Sequence, residues 1–309
     1  MLDSGHDAAD DRLDLLMAER GRLTGVAYRL LGSLADAEDV VQETYARWYG
    51  LTEAQRAAVD SPAAWLTTVA SRLCLDQLRS ARVRRERYVG EWIPEPVPGG
   101  AERFGGHAAP VVEHGDPAEK IGLDESVTMA FLVVLDAMTP AERVTFVLHD
   151  VFGYSFSEIA DVVDRTPAAC RQLASVARRR LREAAPGGPD PATATAEVVR
   201  DLRDAWERKD VAALVGLLDA RVTSLADSGG KVPVFAHVAQ GAEEVARGLL
   251  TVIEHNPDLR VAEEVVNGRP GLVGRVGGRV VSVVALDVVD GRVRTIWTVR
   301  NPDKLAVWA

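Results

Sequence analysis

Cysteine is almost absent from this chain, with Cys74 and Cys170 the only two in 309 residues. They stand far apart and in none of the close Cys/His spacings of a zinc site, which excludes a disulfide framework and a structural zinc centre, so each reads as a small core residue. Apolar runs of membrane-spanning length are also missing, and the opening MLDSGHDAADD is acidic where a signal peptide is basic and then apolar. Together these absences predict a cytoplasmic protein without membrane contact. Aromatics reach only 6%, which suits small helical domains packed by Ala and Leu. Positive charge is in deficit, the net charge being -10, so a cluster of arginines in this chain is placed and not merely frequent.

What is present divides the chain. Its length exceeds one typical domain, and 47% hydrophobic residues are enough for a core in each of two or three. From Leu13 to about Tyr88 apolar positions recur at helical spacing, with Gly32-Ser33 separating a first helix from a second near Asp36, and Asp60-Ser61-Pro62 opening another. Between Glu91 and about Asp124 the composition turns to Pro, Gly and His, which reads as a flexible linker unable to bury a core. A second helical block runs from Glu125 to Glu183 and ends at Pro186-Gly187-Gly188-Pro189. Beyond it the texture is α+β: helices are expected around Ala196–Lys209 and Gly241–His255, followed by Val-rich strands. Asn267-Gly268, Gly277-Gly278 and Asp290-Gly291 are hairpin turns between those strands, giving an antiparallel curved sheet.

Four constellations carry the chemistry. In LADAEDVVQETYARWY, Asp36 is expected to cap a helix that turns Val40, Val41, Thr44, Tyr45 and Trp48 inward and leaves Glu38, Asp39, Gln42 and Glu43 outward. In the helix opened by Ser61-Pro62, the residues Trp65, Leu66, Val69, Leu73 and Leu78 pack inward. Arginines accumulate towards its far end, Arg72, Arg79, Arg82, Arg84 and Arg85, just before the string YVGEWIPEP. Such a cluster is the electrostatic signature of a surface that sits on phosphates. Further on, Thr139-Pro140-Ala141-Glu142 and Ser155-Phe156-Ser157-Glu158 are capping boxes. The helix from Phe156, the turn at Asp164-Arg165 and the helix opened by Thr166-Pro167 make a helix-turn-helix. Its second helix turns Cys170, Leu173, Ala174, Ala177 and Leu181 inward and sets Arg171, Gln172, Ser175, Arg178, Arg179 and Arg182 as candidates for DNA contact. Finally, Asp227-Ser228-Gly229-Gly230-Lys231 and Asn301-Pro302-Asp303-Lys304-Leu305 are turn-forming strings beside strands.

The acidic helix, the arginine-rich helix and the helix-turn-helix together resemble the extracytoplasmic-function sigma factors of bacteria. YVGEWIPEP narrows the resemblance to the subgroup with a fused SnoaL-like C-terminal domain. The resemblance implies a multidomain fold with a sigma region 2 helical bundle at 10–88, a linker at 89–124 and a region 4 helix-turn-helix at 125–185. A hinge at 186–192 and an α+β SnoaL-like (NTF2-like) cone-shaped domain at 193–309 complete it. The implied partners are core RNA polymerase, docked on the face of Glu38, Asp39, Gln42 and Glu43, and promoter DNA. Trp65 and the arginines of the third helix then face the minus-ten element, and the second helix of the helix-turn-helix reads the minus-thirty-five element. Members commonly carry Asn where this chain has Arg72. The strings DSGGK and NPDKL look like two motifs of the subgroup, Ser228 replacing one glycine, and a Gly-to-Ser change restricts positive φ. With Tyr88, Trp92, Ile93 and Pro94 they form an expected interdomain regulatory set. The large apolar groups of that linker have no core of their own and should seek one.

Two other classes compete. SnoaL-like folds host acid/base chemistry, for which Asp227, His237, His255 and Asp287 are the available groups, but no pair of them has a telling spacing. A plain helix-turn-helix regulator explains Ser155 to Arg182 and leaves the first two helices without a purpose. The expected protein is therefore a promoter-recognition subunit with no catalytic residue, metal or cofactor, and an unidentified small ligand in the C-terminal domain is left open.

Overall fold

The computed structural model describes residues 19–85, 88, 90–104, 125–184, 190–234 and 238–309, the stretch 81–85 as helix backbone only. The described residues fall into two compact units. One draws on Met1–Arg82, Ala101–Ser126 and Leu135–Arg180, the other on Val83–Gly100, Val127–Val134 and Leu181–Ala309.

The first unit is helical. Helix α1 (19–31) buries Leu23, Val26, Ala27, Tyr28 and Leu30 completely. Gly32 ends it at φ 69, and Ser33, extended, caps α2 (Leu34–Gly50) by accepting the Asp36 N–H at 3.2 Å. Asp36 is therefore a first-turn residue stabilised by the helix dipole and not the cap. Its neighbour α3 (Glu53–Ala57) is a short helix that periodicity did not announce, held by a Thr52/Gln55 capping box. Helix α4 (Pro62–Arg85) starts on Ser61. Its buried stripe is Leu66, Ala70, Cys74 and Leu78, a turn's edge away from the expected one, and Trp65, Val69 and Leu73 are half-buried on its flank. Trp65 sits there because it packs edge-on against Trp48, ring centres 5.2 Å apart. In Ala101–Phe104 the expected coreless linker is corrected: Phe104 is buried and stacks on Tyr28 at 5.1 Å.

The second helical block begins with α5 (Met129–Asp136). The Thr139/Glu142 box opens α6 (Pro140–Phe146), which runs on as a π turn, Val147–Val151, and ends at Gly153, φ 74. The Ser155/Glu158 box opens α7 (Phe156–Val163), Asp164 turns the chain in the left-handed region at φ 54, and α8 (Pro167–Ala184) follows from Thr166.

In the second unit a six-stranded sheet has the order β2-β1-β6-β5-β4-β3. The strands are β1 (Leu218–Asp227), β2 (Val238–Gln240), β3 (Arg260–Val266), β4 (Arg269–Val276), β5 (Arg279–Val289) and β6 (Arg292–Val299). All three expected dipeptide turns have positive φ at both residues, as tight hairpins require. The expectation of a wholly antiparallel sheet is corrected, because β1 runs parallel to β6. No short turn joins that pair, so local sequence does not fix its direction. One face of the sheet carries α9 (Ala192–Glu207), α10 (Val211–Leu217) and α11 (Ala242–His255) around a core of Val199, Leu202, Leu214, Val222, Ala246 and Ile296. The other face packs Val273, Val283 and Trp297 against Ile93 of the linker, Met129 of α5, and Leu305 and Trp308 of a final 3-10 helix (Pro302–Trp308).

Candidate functional site

Helix α2 presents Glu38, Asp39, Gln42 and Glu43 on one exposed face, because Leu34, Ala37, Val41, Thr44 and Trp48 take the opposite one. Glu43 is held in place by Arg47 one turn on, at 2.9 Å, an exposed pair of small energetic value. The face presents a concentrated negative surface while the helix keeps its fold through the other side.

On α4, Arg72 and Arg79 are exposed. Arg72 is engaged within its own unit, donating Nη2–H to the Asp161 carbonyl at 2.8 Å, while Arg79 lies 3.5 Å from Asp76. Beside Arg72, Thr67 Oγ1 accepts from Tyr154 Oη and from Arg22 Nη2, both at 2.9 Å. Trp65 is half-buried against Trp48, not open to stacking on both faces. The side chains of Arg82, Arg84 and Arg85 lie outside the described residues, and α4 continues as helix through Arg85.

On α8 the exposed stripe is Arg171, Gln172, Ser175, Arg179 and Arg182. Arg171 lies over the Phe156 ring at 5.6 Å. Arg178, expected on the same face, is corrected: its Nε–H donates to the buried Asp150 at 2.6 Å, which turns it into the helix's own scaffold. Helical spacing alone put it outward, and only the distant Asp150 reveals otherwise.

The second unit gathers the remaining expected residues into one socket. Asp227, at the end of β1, has no exposed surface. Its Oδ1 accepts from Tyr88 Oη at 2.6 Å and the Gly229 N–H at 3.0 Å, and its Oδ2 accepts from the Ile93 N–H at 3.1 Å and Lys304 Nζ at 2.7 Å. The Lys304 ammonium also donates to the Ile93 carbonyl and lies 4.3 Å from the Trp92 ring centre and 5.2 Å from that of Tyr88. Such a buried ion pair is favourable only when its remaining lone pairs and protons are satisfied, which the linker backbone does here. Asn301 donates Nδ2–H to Tyr88 Oη at 2.8 Å and caps the final 3-10 helix through the Asp303 N–H. Burial, reinforced by the Asp227 carboxylate, pushes the Tyr88 phenol well above its ordinary range. Pro94 and Leu305 are buried with the socket, Pro302 is exposed, and Lys231 pairs with Asp303 at its rim.

Ser228 takes its place in the loop without a strained backbone. Gly229 and Gly230 take the positive φ values, 57 and 69, while Ser228 is outside the positive-φ region and accepts the Gly230 N–H at 3.3 Å. Gly229 has a second reason to lack a side chain, since a Cβ there would meet Asn301 Nδ2 at 2.5 Å.

Among the buried polar residues that sequence reasoning missed is Asn267, at φ 52 in the β3–β4 turn. It accepts the Val97 N–H on Oδ1 at 3.1 Å and donates Nδ2–H to the Val127 carbonyl at 2.9 Å. Its Asn-Gly context was sufficient reason for a turn, so nothing local signalled the second role.

Of the groups weighed for catalysis, Asp227 is occupied as above, and Asp287 is paired with Arg294 at 2.7 Å. His255 is exposed with Nδ1 against the Thr251 carbonyl at 2.9 Å, and His237 lies outside the described residues. The interior cavity of the α+β domain, lined by Leu202, Trp206, Leu272, Ile296, Asn256 and Arg300, measures about 70 Å³. That is far below the roughly 300–1,000 Å³ of small-molecule sites. Among the described residues no cluster of His, Cys, Asp or Glu is placed to hold a metal ion, and no helix is long and apolar enough to cross a membrane.

The sequence matches Sigma-70 region 2 over residues 15–84 and Sigma-70, region 4 over residues 128–181. Two helical sigma regions followed by an α+β sheet domain define a sigma factor, a class that performs no bond chemistry of its own. The ECF RNA polymerase sigma factor SigJ of Mycobacterium tuberculosis is 41% identical over 301 residues, spanning 93% of this chain and 91% of its own. The probable ECF RNA polymerase sigma factor SigI of the same species is 33% identical over 288 residues, spanning 93% and 92%. The crystal structure of M. tuberculosis SigJ superimposes with a TM-score of 0.70 at 35% identity, covering 95% of this chain and 98% of that one. The chain belongs to the ECF RNA polymerase sigma factors.

Proposed function

We propose that this sigma factor docks on core RNA polymerase through the α2 face of Glu38, Asp39, Gln42 and Glu43. It contacts the minus-ten element with the arginine-rich end of α4, and the minus-thirty-five element with Arg171, Gln172, Ser175, Arg179 and Arg182 of α8. In that scheme Arg178 supports the reading helix from behind. The C-terminal domain modulates promoter use by gripping the linker between the two sigma regions, and the set Tyr88, Trp92, Ile93, Asp227, Asn301 and Lys304 is the grip.

The observation that carries the regulatory part is the Asp227 carboxylate. Both of its oxygens bind linker donors, Tyr88 Oη and the Ile93 N–H, while Lys304 bridges the same carboxylate to the Ile93 carbonyl. Fusion in one chain keeps such a contact at high effective concentration. Regulation is then a shift between held and released linker, with no separate inhibitor required. Transcription with core polymerase tests it, comparing the full chain, a chain stopped before Asn301 and one stopped near Pro191. Equal promoter activity from all three would make the C-terminal domain a passenger.

A further inference from the structure

The linker is held at a second place. Beyond the Asp227 socket, the Asn267 N–H donates to the Val97 carbonyl at 2.9 Å, Pro98 bridges Val266, and the Gly99 N–H donates to the Val265 carbonyl at 3.0 Å. The linker thus adds a short stretch to the edge of β3, a recurring way for an extended segment to join a sheet. The Asn267 side chain does more than continue this pairing. One amide group holds Val97 through its oxygen and Val127 through its nitrogen, and Asn267, Val97 and Val127 are all fully buried. A turn needs none of this, since Asp290 occupies the equivalent left-handed position of the β5–β6 hairpin while exposed to solvent.

Val97 and Val127 bracket the chain between the two sigma regions. About thirty residues lie between them, some 100 Å of contour when extended. Minus-ten and minus-thirty-five elements are roughly 25 base pairs apart, about 85 Å along B-DNA. A bracket that pins both ends of the segment to one side chain removes most of the contour that such a span needs.

We infer that Asn267 is a positioning residue, a clasp that shortens the connection between the two DNA-reading regions, so that its opening sets which promoter spacings the holoenzyme uses. The inference rests on the regulatory reading of the linker given above and adds to it a second, separately addressable hold. Asn267→Gly keeps the left-handed backbone and removes both side-chain bonds. Asn267→Asp keeps the acceptor for the Val97 N–H and sets an oxygen against the Val127 carbonyl, so it opens the Val127 side alone.

The test uses the full chain with core polymerase, on a promoter that the wild type transcribes and on derivatives with lengthened spacers, alongside hydrogen exchange of the free chain. The net value of one buried hydrogen bond is about 2- to 12-fold in an equilibrium. Asn267→Gly should raise transcription by that factor, most on the longest spacers, with faster exchange over residues 93–99 and 127–134. Asn267→Asp should give the same spacer shift, with faster exchange confined to 127–134. Unchanged exchange in both variants would show that no clasp exists. Faster exchange with an unaltered spacer profile, or a uniform fall in transcription together with thermal stability, would leave Asn267 a structural residue and overturn the inference. The chain stopped before Asn301 separates the two proposals. A response there without one in the Asn267 variants defeats the clasp and leaves the Asp227 grip standing, and the reverse defeats the grip.

Discussion

The two units differ in where their candidate functional charges lie. In the helical unit, α2 and α8 turn Glu38, Asp39, Arg171 and Arg179 to solvent, and the charges buried beneath them, such as Asp150 with Arg178, are paired within the same unit. In the α+β unit, Asp227, Lys304 and Asn301 are buried and satisfied by one another and by the linker. Exposed charges on a stable face are available to another molecule. A buried network with its donors and acceptors filled acts on its own chain. In the proposed scheme the same sequence therefore separates recognition of polymerase and DNA from control of that recognition.

The comparison is broken most severely at Asp227. Asp227→Ala leaves the Lys304 ammonium buried without its carboxylate and should cost about 3–5 kcal/mol, read as lowered urea stability and rapid exchange over residues 90–97. A cost below about 1 kcal/mol would place Asp227 with the surface charges. Arg178→Ala comes next. It removes a donor from the buried Asp150 and should cost about 2 kcal/mol of folding stability, while the preference among promoter sequences measured by footprinting stays as in the wild type. Changed preference at normal stability would return Arg178 to the DNA face.

Arg171→Ala should do the opposite, losing about 1–3 kcal/mol of promoter binding with relaxed preference at a local base if the contact is to a base edge. If it is to phosphate, affinity falls on all sequences alike. Unfolding should shift by no more than about 0.5 kcal/mol, and a footprint identical to the wild type would remove this side chain from the interface. The smallest effect is expected of Asp39→Lys. It should weaken capture of core polymerase by about 3- to 10-fold, more at low salt than at high, because a rim charge acts mainly on encounter. Salt-independent capture of the variant at wild-type level would show that α2 docks nothing there.

Sequence disclosed the features that are coded within a few residues. Thr139 with Glu142, Ser155 with Glu158, and the Asn267-Gly268 turn each contain their own reason, a cap or a positive φ. The outward face of α2 followed from helical period alone. Features decided by partners far along the chain stayed hidden: the parallel pairing of β1 with β6, the inward turn of Arg178 towards Asp150, and the bracket made by Asn267. The residues of the Asp227 socket were known only by resemblance, since two turn-forming strings in sequence do not reveal that one carboxylate will collect four donors. The apolar linker was half legible. Tyr88, Trp92 and Ile93 required a core, and the sheet face that supplies it comes from strands well over a hundred residues later.

That separation also has a meaning in time. Asn301 reaches Tyr88 across 213 residues and Lys304 reaches Ile93 across 211. At the usual pace of a bacterial ribosome the linker leaves the tunnel on the order of ten to forty seconds before the residues that will hold it. Region 2 is complete throughout that interval, and region 4, which ends at residue 181, for more than half of it. If the socket is the proposed grip, each new molecule is born ungripped, and its own synthesis supplies the delay before control is imposed.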